Sequence, residues 1–216
     1  MLSVYLHRPQ WFLGVDASLE LLAAIITLAV TIAAFRLWRV VKTQKYATFT
    51  ASFALLSAAF FVRSITDTIL EGILLKVSNE IGAKIFLTGY ITHIVLSLTA
   101  YLLLIGVTLK IKDMRVLSLI GFILVPGLFL SSSYYTSFYG LSLIMLAYIT
   151  QAYWKNYKKC HRSSACLVFT AFFLLTTAQA AFLLEPYNEI WYVAAHLSQM
   201  LGFVSLLAAL IKTLMK

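Results

Sequence analysis

The sequence predicts an all-α, polytopic membrane protein with seven transmembrane helices, N-terminus outside and C-terminus in the cytoplasm. Three observations carry this. Of 216 residues, 62% are hydrophobic and only 12% charged, whereas soluble domains are about half apolar and about one quarter charged. Mean hydropathy is +0.91. The apolar residues come in runs of about 20, enough to cross a hydrocarbon core of roughly 30 Å. The basic residues gather in alternate gaps between those runs, as the cytoplasmic bias of Lys and Arg requires. A β-barrel would instead show short alternating patterns.

Seven spans are expected over about 18–35, 48–70, 84–109, 116–131, 135–153, 165–184 and 190–211, all within one domain, 1–216. Residues 1–17 precede the first. Pro9 and Gly14 break this segment, while Trp11 and Phe12 suit an interface, so it should lie on the outer surface. Asp16 or Ser18 is placed to cap the first span. That span runs into "FRLWRVVKTQK" with no small-residue cleavage site, which reads as a retained span and not a signal peptide.

Spans 1 and 2 are joined through Arg36, Arg39, Lys42 and Lys45. Spans 3 and 4 are joined through Lys110, Lys112 and Arg115, and spans 5 and 6 through Lys155, Lys158, Lys159 and Arg162. Lys212 and Lys216 end the chain. The opposite side holds Asp16, Glu20, Asp67, Glu71, Glu80, Glu185 and Glu189, leaving only Asp113 with the basic groups. The net charge of +9 is thus a surface facing anionic lipid and no sign of nucleic acid.

Short connections predict antiparallel packing of successive helices. Pro126-Gly127 should bend span 4, which is nearly free of polar groups and so should be peripheral. "SSSYYTS", 131–137, reads as a plain external turn. Cys160 and Cys166 fall at a cytoplasmic loop, where thiols stay reduced, and a lone C-x5-C is no zinc site.

The chemistry lies in "GYITHIVLSLTAYLLLIGVTLK", 89–110, which places a titratable His93 in an apolar run. Depth can be counted from the inner basic residues. His93 lies 17 residues before Lys110, His196 lies 16 before Lys212, Glu20 lies 16 before Arg36 and Arg63 lies 18 after Lys45. At about 1.5 Å per residue all four sit about 25 Å from the inner boundary, in the outer half of the bilayer. Gln179 and Gln199 lie near that level.

Facing adds to depth. Arg63, Asp67 and Glu71 share a stripe at i, i+4, i+8. Glu20, Thr27 and Thr31 make another, and His196 and Gln199 are i and i+3. Gly89 and Ser97 should leave room beside the His93 ring. Intramembrane charges avoid lipid and seek one another, so these stripes should point into the bundle. The expected pocket is Glu20, Arg63, Asp67, His93, Gln179, His196 and Gln199.

Four uses fit this pattern. It can be a structural network in which Glu20 or Asp67 pairs with Arg63. Two histidines at one depth can hold a haem b iron from both faces, with Arg63 meeting a propionate. His93, His196 and a carboxylate can bind a divalent metal with one open position. The histidines can titrate against the acids as a pH sensor, fed by an acidic outer mouth. Tyr90, Tyr101, Tyr134, Tyr135, Tyr139, Tyr187, Trp191 and Tyr192 are expected largely in an outer aromatic belt.

The layout, with "FRLWRVVKTQK" after span 1 and "HLSQMLGF" in span 7, resembles archaeal seven-helix integral membrane proteins and seven-helix membrane sensor domains of prokaryotes. That resemblance implies a sensing role in the cell membrane. Such sensors often carry an output domain, and here nothing follows Lys216, so output is expected to need a protein partner. Microbial rhodopsins share the topology but require a lysine within span 7, where this chain has His196 and no lysine before Lys212. Zinc-dependent membrane hydrolases of the progesterone-receptor and ceramidase type use H-x-x-x-H. The fourth residue after His196 is Met200. No nucleophile motif, phosphate loop or broken-helix pair appears. The expected function is therefore a small binding or sensing module. A metal-dependent membrane enzyme on the same residues, or a structural subunit of a larger complex, stands behind it.

Overall fold

The structure, a computed structural model, describes residues 12, 14–74, 79–111, 114–129 and 133–215. The N-terminal segment through residue 11, the Lys112–Asp113 pair and the side chains of Glu71, Glu80 and Pro126 lie outside the described part.

Seven α-helices follow one another among the described residues, and no strand occurs there. They are α1 (Val15–Val41), α2 (Gln44–Leu74), α3 (Asn79–Leu109), α4 (Met114–Phe129), α5 (Tyr134–Cys160), α6 (Ser163–Leu184) and α7 (Ile190–Leu214). A 3-10 turn, Glu185–Tyr187, sits between α6 and α7. Each expected run lies largely inside one helix. The helices outrun the apolar segments, mainly at the basic ends, because Lys and Arg propagate a helix well once it has left an apolar slab.

Five stretches are long and apolar enough to cross a membrane: Val15–Val41, Gln44–Leu70, Lys84–Leu109, Ser163–Tyr187 and Ile190–Leu214. The outward faces fit that reading. Ile25, Ile32, Ile144, Leu201 and Phe122 are large apolar side chains left exposed. Meanwhile Asp16, Glu20, Arg63, Asp67, His93 and His196 are buried. A soluble protein does the reverse, since water rewards polar groups outside and apolar groups inside.

Six helices close a ring. α1 packs on α2, α2 on α3, α3 on α5, α5 on α6, α6 on α7, and α7 returns to α1. The fourth helix is bypassed and lies outside, mainly against α3 and α5. Its peripheral place follows from its sequence, which offers no polar group that needs the interior. The expected antiparallel succession thus holds the ring together except at α4.

Small residues set the close approaches. A Cβ on Gly89 would lie 2.8 Å from Thr66 Cβ and 2.7 Å from its Cγ2. A Cβ on Gly202 would lie 2.9 Å from Leu175 Cγ and 3.1 Å from the Ala171 carbonyl oxygen. These glycines let α3 approach α2 and α7 approach α6, the usual device where helices gain no hydrophobic drive from lipid. The space at Gly89 is therefore filled by Thr66, and does not serve the His93 ring as its spacing suggested.

The helix ends correct three further expectations. α1 begins after Gly14, whose φ of 82° is left-handed, and neither Asp16 nor Ser18 acts as the N-cap residue. "SSSYYTS" is no plain turn. Ser133 caps α5 by accepting from the Thr136 amide, and Tyr134–Ser137 already form its first turn. Cys160 ends α5 and Cys166 lies in α6, so the connecting loop is only His161-Arg162. Both thiols are free.

Candidate functional site

The polar groups meet in two linked clusters inside the ring. The first is ionic. Arg63 on α2 places Nε 3.0 Å from Asp67 Oδ2, one turn further along the same helix. The same Nε lies 3.5 Å from Glu20 Oε1 on α1. The guanidinium also sits over the Tyr90 ring of α3, 5.1 Å from its centroid. All three charged side chains are nearly sealed from solvent. One cation thus faces two carboxylates and a π-face, an arrangement suited to Arg, whose planar fork is always charged.

A second carboxylate site lies one turn earlier on α1. Asp16 is fully buried. Its Oδ1 accepts from the Ala17 amide at 2.9 Å, and its Oδ2 accepts from the Tyr192 hydroxyl of α7 at 3.0 Å. Nearby, Ser64 Oγ on α2 donates to the Ala17 carbonyl oxygen at 2.9 Å. Four buried groups thus tie the start of α1 to α2 and α7.

The second cluster surrounds a small cavity of about 20 Å³. Every ring helix contributes to its wall. α1 supplies Glu20 and α2 Phe60; α3 supplies His93, Ser97 and Tyr101; α5 supplies Phe138 and Tyr139; α6 supplies Gln179 and Phe182; α7 supplies His196 and Gln199. Among the described residues, the fourth helix supplies none. Glu20 belongs to both clusters and joins them.

The histidines are held differently. His93 Nδ1 is 3.1 Å from the Ala59 carbonyl oxygen of α2. A carbonyl only accepts, so Nδ1 carries the proton and Nε2 is the nitrogen left for the cavity. Phe60 and Phe138 flank its ring at 5.8 and 5.6 Å between centroids. His196 is packed among aromatic rings, with Tyr192 at 4.6 Å, Phe182 at 5.1 Å and Phe12 at 6.0 Å. Gln179 Oε1 and Ser97 Oγ are buried and have no hydrogen-bond partner among the described residues.

Of the seven expected pocket residues, Glu20, His93, Gln179, His196 and Gln199 line the cavity. Arg63 and Asp67 stand beside it in the ionic cluster. Thr27 and Thr31, expected on the Glu20 stripe, bond to carbonyls of their own helix. Tyr139, Tyr192, Tyr90 and Tyr101 are buried in the core, not in an aromatic belt. Tyr187 and Trp191 are exposed, as a belt requires. Tyr135 donates to Glu185 Oε2 across the α5–α6 contact.

A water needs roughly 10–15 Å³ measured in this way. The cavity is therefore about the size of one water, whereas pockets for ligands of drug size run to about 300–1,000 Å³. Both imidazoles line this small cavity with aromatic rings packed beside them, and its volume is far below that of a porphyrin. The residues do not fit a haem held between His93 and His196. Among the described residues, no group of three His, Cys, Asp or Glu side chains is placed to hold a metal ion. Comparison with protein families, curated proteins and solved structures gives no match for this chain.

Proposed function

We propose that the chain is a seven-span protein of the cell membrane, N-terminus outside, that works as a small binding or sensing module through the polar cavity. One observation carries this: all six ring helices converge on a water-sized, polar space while their outward faces stay apolar. A ligand or proton bound there touches every ring helix at once. Such a centre can bias the packing of the whole ring, provided the ligand favours one arrangement over another. The species that suits the space is a proton or one water-sized polar molecule. A conformational change would reach the cytoplasm through the basic helix ends, where a protein partner would read it.

The groups that face the histidines are Glu20, Tyr101, Tyr139 and Tyr192, with the Arg63–Asp67 pair joined through Glu20. Titration of this set changes the charge at the ring centre, where low dielectric makes charge costly. The test is Trp fluorescence of the protein in lipid nanodiscs from about pH 3 to about pH 8, the range that brackets carboxylate and imidazole titration. Trp191 lies five residues before His196 and is a natural reporter. We expect a sigmoidal transition in the native chain that His93→Gln/His196→Gln lacks. A flat native profile, or an identical transition in the double variant, rules out the sensing role of this cavity.

A further inference from the structure

A second concavity lies at the other end of the bundle, away from the polar centre. It is an open groove of about 190 Å³ where the start of α2 meets the end of α3 and the start of α4. Lys45 and Lys110 line it from two different helices, and both are exposed. Val107, Ile111 and Leu117 give it an apolar wall. Gln44 and Lys45 are the first two residues of α2, so the positive end of that helix dipole lies on the same side. α4 supplies Leu117 to the groove, and its Val116, Leu119 and Phe122 are exposed.

We infer that this groove binds the headgroup of an anionic phospholipid, its phosphate between Lys45 and Lys110 and its first methylenes along Val107, Ile111 and Leu117. The inference rests on the membrane reading above but not on the polar cavity. Charge complementarity selects an anion, because two lysines line the groove and its described wall has no carboxylate. The apolar wall selects an amphiphile over free phosphate. The exposed apolar side chains of α4 are surface that acyl chains would cover. The level is also right, since the basic helix ends are where an inner leaflet's headgroups would lie.

Native mass spectrometry of the detergent-solubilised protein tests this, with phosphatidylglycerol and phosphatidylcholine of identical chains as probes. Phosphatidylglycerol should bind at least tenfold more tightly than phosphatidylcholine. Each lysine near such a headgroup is worth about fivefold, so Lys45→Gln/Lys110→Gln should weaken it by on the order of 10-fold or more. Arg36→Gln/Arg39→Gln removes the same charge from the end of α1 and should leave the affinity within about twofold. Equal affinity for the two lipids overturns the proposal. So does an equal loss in the arginine variant, which would make the effect general surface charge. Inorganic phosphate that displaces the lipid at comparable concentration overturns the role of the apolar wall. Both lysines are exposed, so their replacement leaves the packing intact. Recovery of the expressed chain in washed membranes checks the membrane reading separately.

Discussion

The Tyr192 hydroxyl donates a 3.0 Å hydrogen bond to Asp16 Oδ2, joining the last helix to the first and closing the ring. Asp16 is fully buried and Tyr192 nearly so. A hydrogen bond to a charged group contributes about 1.5–3 kcal/mol, and a buried acceptor that loses its donor bears the desolvation cost. Tyr192→Phe keeps the ring and its packing against His196 while removing only the hydroxyl. It should lower stability by about 1–3 kcal/mol. Thermal unfolding in detergent reads this, and an unchanged midpoint would show that the bond does not fasten α7 to α1.

The Arg63 cluster makes a sharper claim. Removing the cation leaves Glu20 and Asp67 buried without their guanidinium. Breaking a buried pair from one side costs about 3–5 kcal/mol, whereas replacing all its members with neutral groups is often close to neutral. Arg63→Met alone should be strongly destabilised or fail to accumulate. Arg63→Met with Glu20→Gln and Asp67→Asn should recover most of the loss. If the triple variant is no better than the single one, Arg63 supports the ring by packing, not by charge compensation.

Part of this centre was legible in the sequence. Counting residues from the basic helix ends placed Glu20, Arg63, His93 and His196 at one depth, because a helix rises uniformly and the bilayer boundary fixes the origin. Counting depth gives no rotation. α3 and α6 are apolar almost all round, so no stripe marked which face of His93 or Gln179 was inside. Asp16 was hidden by its place at a helix start, where a capping role competes with a buried one. Tyr139 and Tyr192 were hidden because a tyrosine near the interface suits a belt as well as a core. The bypass of α4 was readable only as a lack of polar residues. Closure of α3 directly onto α5 depends on contacts far apart in the chain, which no local pattern records.

Gly89 supplies a test of the α2–α3 contact. An added Cβ would run into Thr66, whose Cβ lies 2.8 Å from the ideal position. Gly89→Ala should therefore cost about 1–3 kcal/mol, the range for overpacking. The clash has one named partner, so Thr66→Gly in the same chain should restore part of the loss. Additive losses in the double variant would mean that the two residues do not meet.

Orientation can be read from the native thiols. Cys160 is exposed at the end of α5 and Cys166 lies one turn into α6, both at the basic end. A membrane-impermeant maleimide should label neither in sealed right-side-out vesicles and should label Cys160 in inverted ones. Labelling in the right-side-out preparation would reverse the proposed topology.

The last prediction concerns Ser97. Its Oγ is buried in the cavity wall and has no hydrogen-bond partner among the described residues, as is also true of Gln179 Oε1 on α6. A hydroxyl buried without a partner carries a desolvation cost of about 1–3 kcal/mol, so Ser97→Ala would then stabilise the protein. A water-sized ligand bridging Ser97 and Gln179 reverses the sign, and the same substitution then costs about 0.5–1.5 kcal/mol. The cavity volume of about 20 Å³ and the convergence of both groups on it favour the bridge. Ser97→Ala should therefore destabilise, and Gln179→Met should cancel the difference because it removes the other end. A stabilising Ser97→Ala would mean that no polar ligand occupies the ring centre, and the binding role proposed for it would fall with that result.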